Sequence, residues 1–282
     1  MTKSVTVPDI LEAKGRRKLS VITAYDYPSG RMADEAGMDM VLVGDSLAMV
    51  VLGHEDTLSV TMDEMVHHAK AAARGVDRAL LVGDMPFLSY QVGPEQAVQN
   101  AGRFLKEGGA GAVKIEGGAE TAETVRALTA AGIPVMGHVG LTPQRLVQLG
   151  GFRYQGKTAE AARVLLRDAQ ALARAGAFAM VLECVPAETA QAITRAVEVP
   201  TIGIGAGPEC DGQVLVMHDL IGLFDRFRPR FVKAYADLWP QAVEALKAYH
   251  SEVELGLFPG EEQTTRLAAE EADKLRDLLG ES

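Results

Sequence analysis

The sequence predicts an α/β fold, a (β/α)8 barrel, from three observations. Eight short, β-rich apolar runs recur along the chain. Helical segments lie between most of them. Several of those segments end in Gly just before the next run, as in ADEAG, LKEGG, LTAAG and ARAG. Gly there closes a helix in the left-handed conformation.

The runs, in order, are LSVITAYD (19–26), DMVLVGDS (39–46), ALLVGDMP (79–86), AVKIEGG (112–118), PVMGHVG (134–140), AFAMVLECV (177–185), PTIGIGAG (200–207) and QVLVMHDLI (213–221). A continuous apolar run bounded by turns suits a parallel strand buried on both faces. The clearest helices are PEQAVQNAGRFLKEGG and TAEAARVLLRDAQALARAG, the second opened by a capping Thr158 with Glu160 in its first turn. Beyond residue 233 the pattern is wholly helical, and Pro240 should start a helix or kink one. No low-complexity linker divides the chain. We therefore expect one barrel domain over 1–262, with an N-terminal cap and C-terminal helices, followed by a charged helical tail over 263–282. That tail is either a solvated helix or a subunit interface. Order along the chain does not fix strand order in space, so a doubly wound sheet is the alternative.

Composition narrows the function. Of 282 residues, 48% are hydrophobic and 23% charged, which is ordinary globular composition with ample length for a core. The net charge of −10 disfavours nucleic acid as a partner. The basic cluster of Lys14, Arg16, Arg17 and Lys18 is too short to change that. Cys184 and Cys210 are too few for a disulfide framework, and no zinc-type spacing occurs. The N-terminus does not read as a secretory or transit peptide, and no window approaches a membrane span. A cytoplasmic location is expected, with no membrane partner.

Ionisable groups collect where the runs end. They are Asp26, Asp45 with Ser46, Asp84, Lys114 with Glu116, His138, Glu183, and His218 with Asp219. In a (β/α)8 barrel those ends converge on one mouth, where active sites sit. Each aspartate alone could be a helix cap or a turn residue. Together, Asp45, Asp84 and Glu116 are hard oxygen donors suited to Mg²⁺. Carboxylates so gathered raise one another's pKa unless a cation joins them, so a metal or Lys114 is expected among them. Lys114 and Glu116 are two apart on one strand and face the same side. His138 is a substrate hydrogen-bond donor or a satisfied structural histidine. Glu183 follows a very apolar approach, which favours a general acid/base role. Cys184 should point to the other face and pack. Met40, Met49 and Met136 read as core. GIGAG at 203–207 lacks the spaced third glycine of a nucleotide fingerprint; its simpler meaning is close approach of a backbone or substrate.

Longer stretches carry a resemblance. TAYDYPSGRMADEAGMDMVLVGDSLAMVVLGHEDTLSVT, VKIEGG, GHVGLTPQ, LECVP, IGIGAG and PRFVKAY closely resemble the ketopantoate hydroxymethyltransferase family over roughly residues 8–262. The resemblance implies a barrel of the phosphoenolpyruvate/pyruvate type. It implies transfer of a one-carbon unit from 5,10-methylenetetrahydrofolate to 3-methyl-2-oxobutanoate through a Mg-stabilised enolate, giving 2-dehydropantoate for pantothenate synthesis. It implies one Mg²⁺ per subunit on Asp45, Asp84 and Glu116. The keto acid would contact Asp45, Ser46, Asp84 and Lys114, with Glu183 as base. A homo-oligomer is implied, with a decamer as the expected size. The chain departs from the family pattern at Ala48, where Gly is usual, at Arg230, where Lys is common, and at Gln263, where His is common. A lyase or mutase on a related barrel is the rival enzyme reading, though its Lys-Lys-Cys-Gly-His segment is absent. A non-catalytic scaffold barrel would need no convergent carboxylates.

Overall fold

In the computed structural model, residues 4–151 and 153–281 are described. All eight runs become strands: β1 Leu19–Thr23, β2 Met40–Val43, β3 Leu80–Asp84, β4 Ala112–Glu116, β5 Val135–Gly140, β6 Ala179–Glu183, β7 Thr201–Ile204 and β8 Gly212–Leu215. They pair in parallel in chain order, and β8 closes on β1. The doubly wound alternative is thereby excluded.

The side-chain alternation of a strand sorts the apolar residues into two clusters. One fills the barrel: Val21, Met40, Leu80, Val82, Met136 and Val181 belong to it. The other lies between strands and outer helices and includes Val41, Val113, Phe104 and Leu172. Ile10, on the helix Val7–Glu12, is fully buried and joins the interior cluster, so this first helix caps the barrel floor. Two glycines are fixed by packing. A Cβ on Gly83 would stand 2.3 Å from the Phe104 ring, and one on Gly118 would stand 2.5 Å from the Asp168 carboxyl.

Thr158 accepts a hydrogen bond from the Ala161 amide and opens the helix Ala159–Arg174 as expected. Pro240 lies in the first turn of the helix Leu238–Glu254 and starts it rather than kinking it. The chain divides into two compact units, 1–235 and 236–282. The first is the barrel. The second is helical, with Leu238–Glu254 and Ala269–Leu279, and neither of these helices buries a residue. Among the described residues, no helix is long and apolar enough to cross a membrane.

Candidate active site

The strand register places the ionisable groups. Asp84 on β3 pairs with Lys114 on β4, and Glu116 on β4 pairs with His138 on β5. Glu183 ends β6 beside Gly140 of β5. Asp45 and Ser46 lie just beyond β2. All of these line one cavity of about 650 Å³ at the strand exits.

The contacts form a continuous chain. The Lys114 Nζ donates to both Asp84 oxygens at 2.7 and 2.8 Å and stands 3.6 Å from Glu116. The Asp45 amide donates to the Asp84 Oδ2 at 3.2 Å. The His138 nitrogens stand 3.4 Å from Glu116 on one side and 3.4 Å from Glu183 on the other. Neither nitrogen makes a hydrogen bond of good geometry, so the imidazole is held between two carboxylates without being satisfied by them. The Ser46 hydroxyl meets the buried Tyr25 hydroxyl at 2.9 Å.

Electrostatics follow from burial and crowding. Burial, then Asp84 and Glu116, push the Asp45 carboxyl well above the usual range. Burial and Glu116 raise Asp84 although Lys114 pulls the other way. Burial also acts against Glu116, yet His138 and Lys114 hold it below its ordinary value. The Lys114 ammonium is desolvated, but the surrounding carboxylates bind its proton more tightly than water would. Burial pushes Glu183 up to about 7, with His138 opposing.

Three buried carboxylates thus face one ammonium, and a divalent cation would neutralise the two remaining charges. The donors are hard oxygens, which suits Mg²⁺. Among the described residues, no three His, Cys, Asp or Glu groups stand close enough to hold an ion as they are. Both Asp84 oxygens accept from Lys114, and each keeps a lone pair that could face a cation.

Several expectations from the sequence are corrected here. Asp26 is not in the cavity; it is exposed and N-caps the helix Tyr27–Glu35, accepting from the Ser29 amide at 2.8 Å. β8 ends at Leu215, so His218 and Asp219 sit on the short helix Met217–Leu220 instead of a strand exit; Asp219 lines the cavity. Cys184 does not pack behind β6. Its φ of 47° breaks the alternation and turns it to the cavity wall, where burial pushes the thiol up to about 12. Met49 lines the cavity too, whereas Met40 and Met136 are core.

Gln144 escaped the reading of the residues. Its Nε2 donates to the Asp45 Oδ2 at 3.0 Å and to the Met85 carbonyl at 2.9 Å. Its amide donates to the Glu116 Oε2 at 3.1 Å, and the Tyr90 hydroxyl donates to its Oε1 at 2.8 Å. One buried residue thus holds two of the carboxylates, Asp45 through its side chain and Glu116 through its backbone.

A closed parallel barrel with carboxylates, an imidazole and an ammonium group converging at its mouth has the build of a (β/α)8 enzyme. The fold also resembles solved barrels: phosphoenolpyruvate phosphomutase from Streptomyces platensis subsp. rosaceus has a TM-score of 0.59 at 16% identity, covering 98% of this chain and 95% of that one. A 2,3-dimethylmalate lyase of the PEP mutase/isocitrate lyase superfamily has a TM-score of 0.57 at 17% identity, covering 97% and 98%. Sequence is more specific. The family model for ketopantoate hydroxymethyltransferase matches residues 4–261, and the chain belongs to that family of transferases. A 3-methyl-2-oxobutanoate hydroxymethyltransferase of Syntrophobacter fumaroxidans (strain DSM 10017 / MPOB) is 61% identical over 278 residues, 99% of each chain. One from Moorella thermoacetica (strain ATCC 39073 / JCM 9320) is 60% identical over 261 residues, covering 92% of this chain and 97% of that one.

Proposed function

We propose that this site moves a hydroxymethyl unit from 5,10-methylenetetrahydrofolate to C3 of 3-methyl-2-oxobutanoate, the 2-dehydropantoate-forming step of pantothenate synthesis in the cytoplasm. The observation that carries the reading is the convergence of Glu183 and His138 with the Lys114 ammonium and its carboxylates on one cavity; burial, which pushes Glu183 up to about 7, supports it.

Asp45 and Asp84 would hold one Mg²⁺ per subunit, with Glu116 reaching it directly or through water. When bound, the ion supplies Lewis acidity toward the keto and carboxylate oxygens of the substrate. Lys114 offsets the charge of the keto acid, and Ser46, steadied by Tyr25, donates to it. Asp45 and Asp84 position it. Glu183 removes the C3 proton, and its desolvation makes it a better base than a free carboxylate. His138, with its Nε2 3.4 Å from Glu183, donates to the keto acid. C3 then bonds to the folate methylene carbon, water supplies the hydroxyl oxygen, and tetrahydrofolate leaves.

In heavy water with Mg²⁺ and no folate, the wild type should exchange the C3 proton. Glu183→Gln should slow that exchange by about a hundred-fold or more. Equal exchange in both proteins would remove Glu183 from the role. Product mass after adding methylenetetrahydrofolate tests the transfer itself.

We also propose a homo-oligomer larger than a dimer, with a decamer as the expected size. Trp239, Leu246, Tyr249 and Val253 are exposed on Leu238–Glu254, which supports burial against another copy. A monomer by light scattering at micromolar concentration would defeat this.

A further inference from the structure

The cavity is larger than a small keto acid requires. In the closed strand order β8 lies across the barrel from β4, which carries Lys114 and Glu116. The segment after β8 lines the cavity with flat apolar faces, among them Phe224, Phe227, Pro229 and Phe231. It contributes one carboxylate, Asp219, which is 8% exposed. No described residue forms a hydrogen bond or ion pair with that carboxylate.

A buried carboxylate is an acceptor with two oxygens, and leaving it unpaired is costly. The structure compensates Asp211 and Asp39 with donors but leaves Asp219 without one. The Asp219 oxygens are open to the cavity, so donors on the cavity's occupant can reach them. Apolar aromatic walls take a flat ring. A carboxylate at their edge takes two parallel N–H groups from it, in the fork geometry that also pairs guanidinium with carboxylate.

We propose that Asp219 binds the co-substrate by accepting hydrogen bonds from the 2-amino group and the adjacent ring N–H of its pterin. This rests on the folate reading above. Burial pushes the free Asp219 carboxyl up to about 6, opposed by the charge of Arg228, so paired donors would relieve a strained anion. Phe227, 64% exposed, lies in the same wall, where an arriving ring would cover it.

The test pairs a variant with a ligand analogue. Tetrahydrofolate and its 2-desamino-2-methyl analogue are titrated into wild type and Asp219→Asn, and KM is measured for each substrate. The wild type should bind the analogue at least about tenfold more weakly than tetrahydrofolate. Asp219→Asn should bind tetrahydrofolate at least about tenfold more weakly than wild type does and should no longer discriminate between the two ligands. Its KM for methylenetetrahydrofolate should rise while KM for the keto acid stays within about twofold. Equal affinity of the wild type for both ligands overturns the proposal, even if Asp219→Asn does not fold. Unchanged folate affinity in a folded Asp219→Asn overturns it as well. A wild type that forms no hydroxymethylated product from keto acid and methylenetetrahydrofolate overturns the folate reading and this proposal with it. Product formation with an indifferent Asp219→Asn overturns only the role of Asp219.

Discussion

Lys14 and Asp211 meet at 2.7 Å on the floor side of the barrel; Lys114 and Asp84 meet at the same distance at its mouth. The floor aspartate also accepts from the Gly15 and Thr201 amides and the Thr201 hydroxyl, and Lys14 donates a second hydrogen bond to the Thr194 carbonyl. Burial acts against Asp211, but these donors hold its carboxyl below the usual range. At the mouth the balance reverses. Asp84 shares its one lysine with Asp45 and Glu116, and its carboxyl is raised. An ion pair of the same length thus matches its charges fully at the floor but only in part at the mouth, where the excess carboxylates, not the pair, work against the fold. The excess is the mark of a site that expects a further cation.

Removing each lysine is the sharpest way to break the contrast. Lys114→Met should cost about 3–5 kcal/mol of stability at neutral pH, because it strands buried carboxylates. It should also abolish turnover. Lys14→Met should cost only about 1–2 kcal/mol, since Asp211 keeps its other donors, and should leave turnover within about twofold. Urea melts and product assays on both variants decide it; equal losses would erase the distinction.

Gln144→Leu tests whether the mouth depends on the amide that brackets it. Asp45, the Met85 carbonyl and Tyr90 would each lose a partner, at about 1–3 kcal/mol in total after relaxation. We expect kcat to fall about tenfold or more, with the barrel still folded by circular dichroism. A wild-type kcat would show that Asp45 needs no such support.

Asp45→Asn should be inactive yet more stable than wild type in metal-free buffer, by on the order of 1 kcal/mol. The sign follows from linkage. A carboxyl raised on folding favours the native state only while it is protonated, so its contribution is lost as pH rises through the folded value. The amide removes that loss at neutral pH. A lower Tm for Asp45→Asn without Mg²⁺ would contradict the excess-charge account.

The narrowest effect, confined to the acid range, belongs to the titration of Asp211. Its carboxyl is lowered on folding, so its stabilisation is present above the unfolded value near ~4 and disappears as pH falls through the folded value. Asp211→Asn should therefore flatten the acid limb of the stability curve below that range. An unaltered acid limb would assign it to other carboxylates.

The barrel was legible in the sequence because burial on both faces leaves no polar alternation to confuse a strand with a surface helix. All eight runs are continuous and bounded. The convergence of Asp45, Asp84, Lys114, Glu116, His138 and Glu183 on one cavity was legible for the same reason: a polar residue at the end of such a run has one place to go. Gln144 and Tyr90 were not legible. Tyr90 reaches the site from a loop and Gln144 from the 3-10 turn Pro143–Arg145, and neither residue type carries a charge that would mark it. Asp219 was visible as a charge but misplaced, because VLVMHDLI stays apolar through the turn from β8 into the following helix. Cys184 broke the alternation through a positive φ that its side chain does not advertise.

Ile10 stoppers the barrel from below. Among the described residues, the cavity lies at the strand exits, on the opposite side from Ile10, so a guest deep in it is covered by one that follows through the mouth. The deepest guest arrives first and departs last, so the keto acid should precede its folate donor, and the finished product should wait until the spent carrier has cleared the threshold. Product-inhibition kinetics should accordingly show a compulsory order, and a random order would mean that the two guests can pass each other in the mouth.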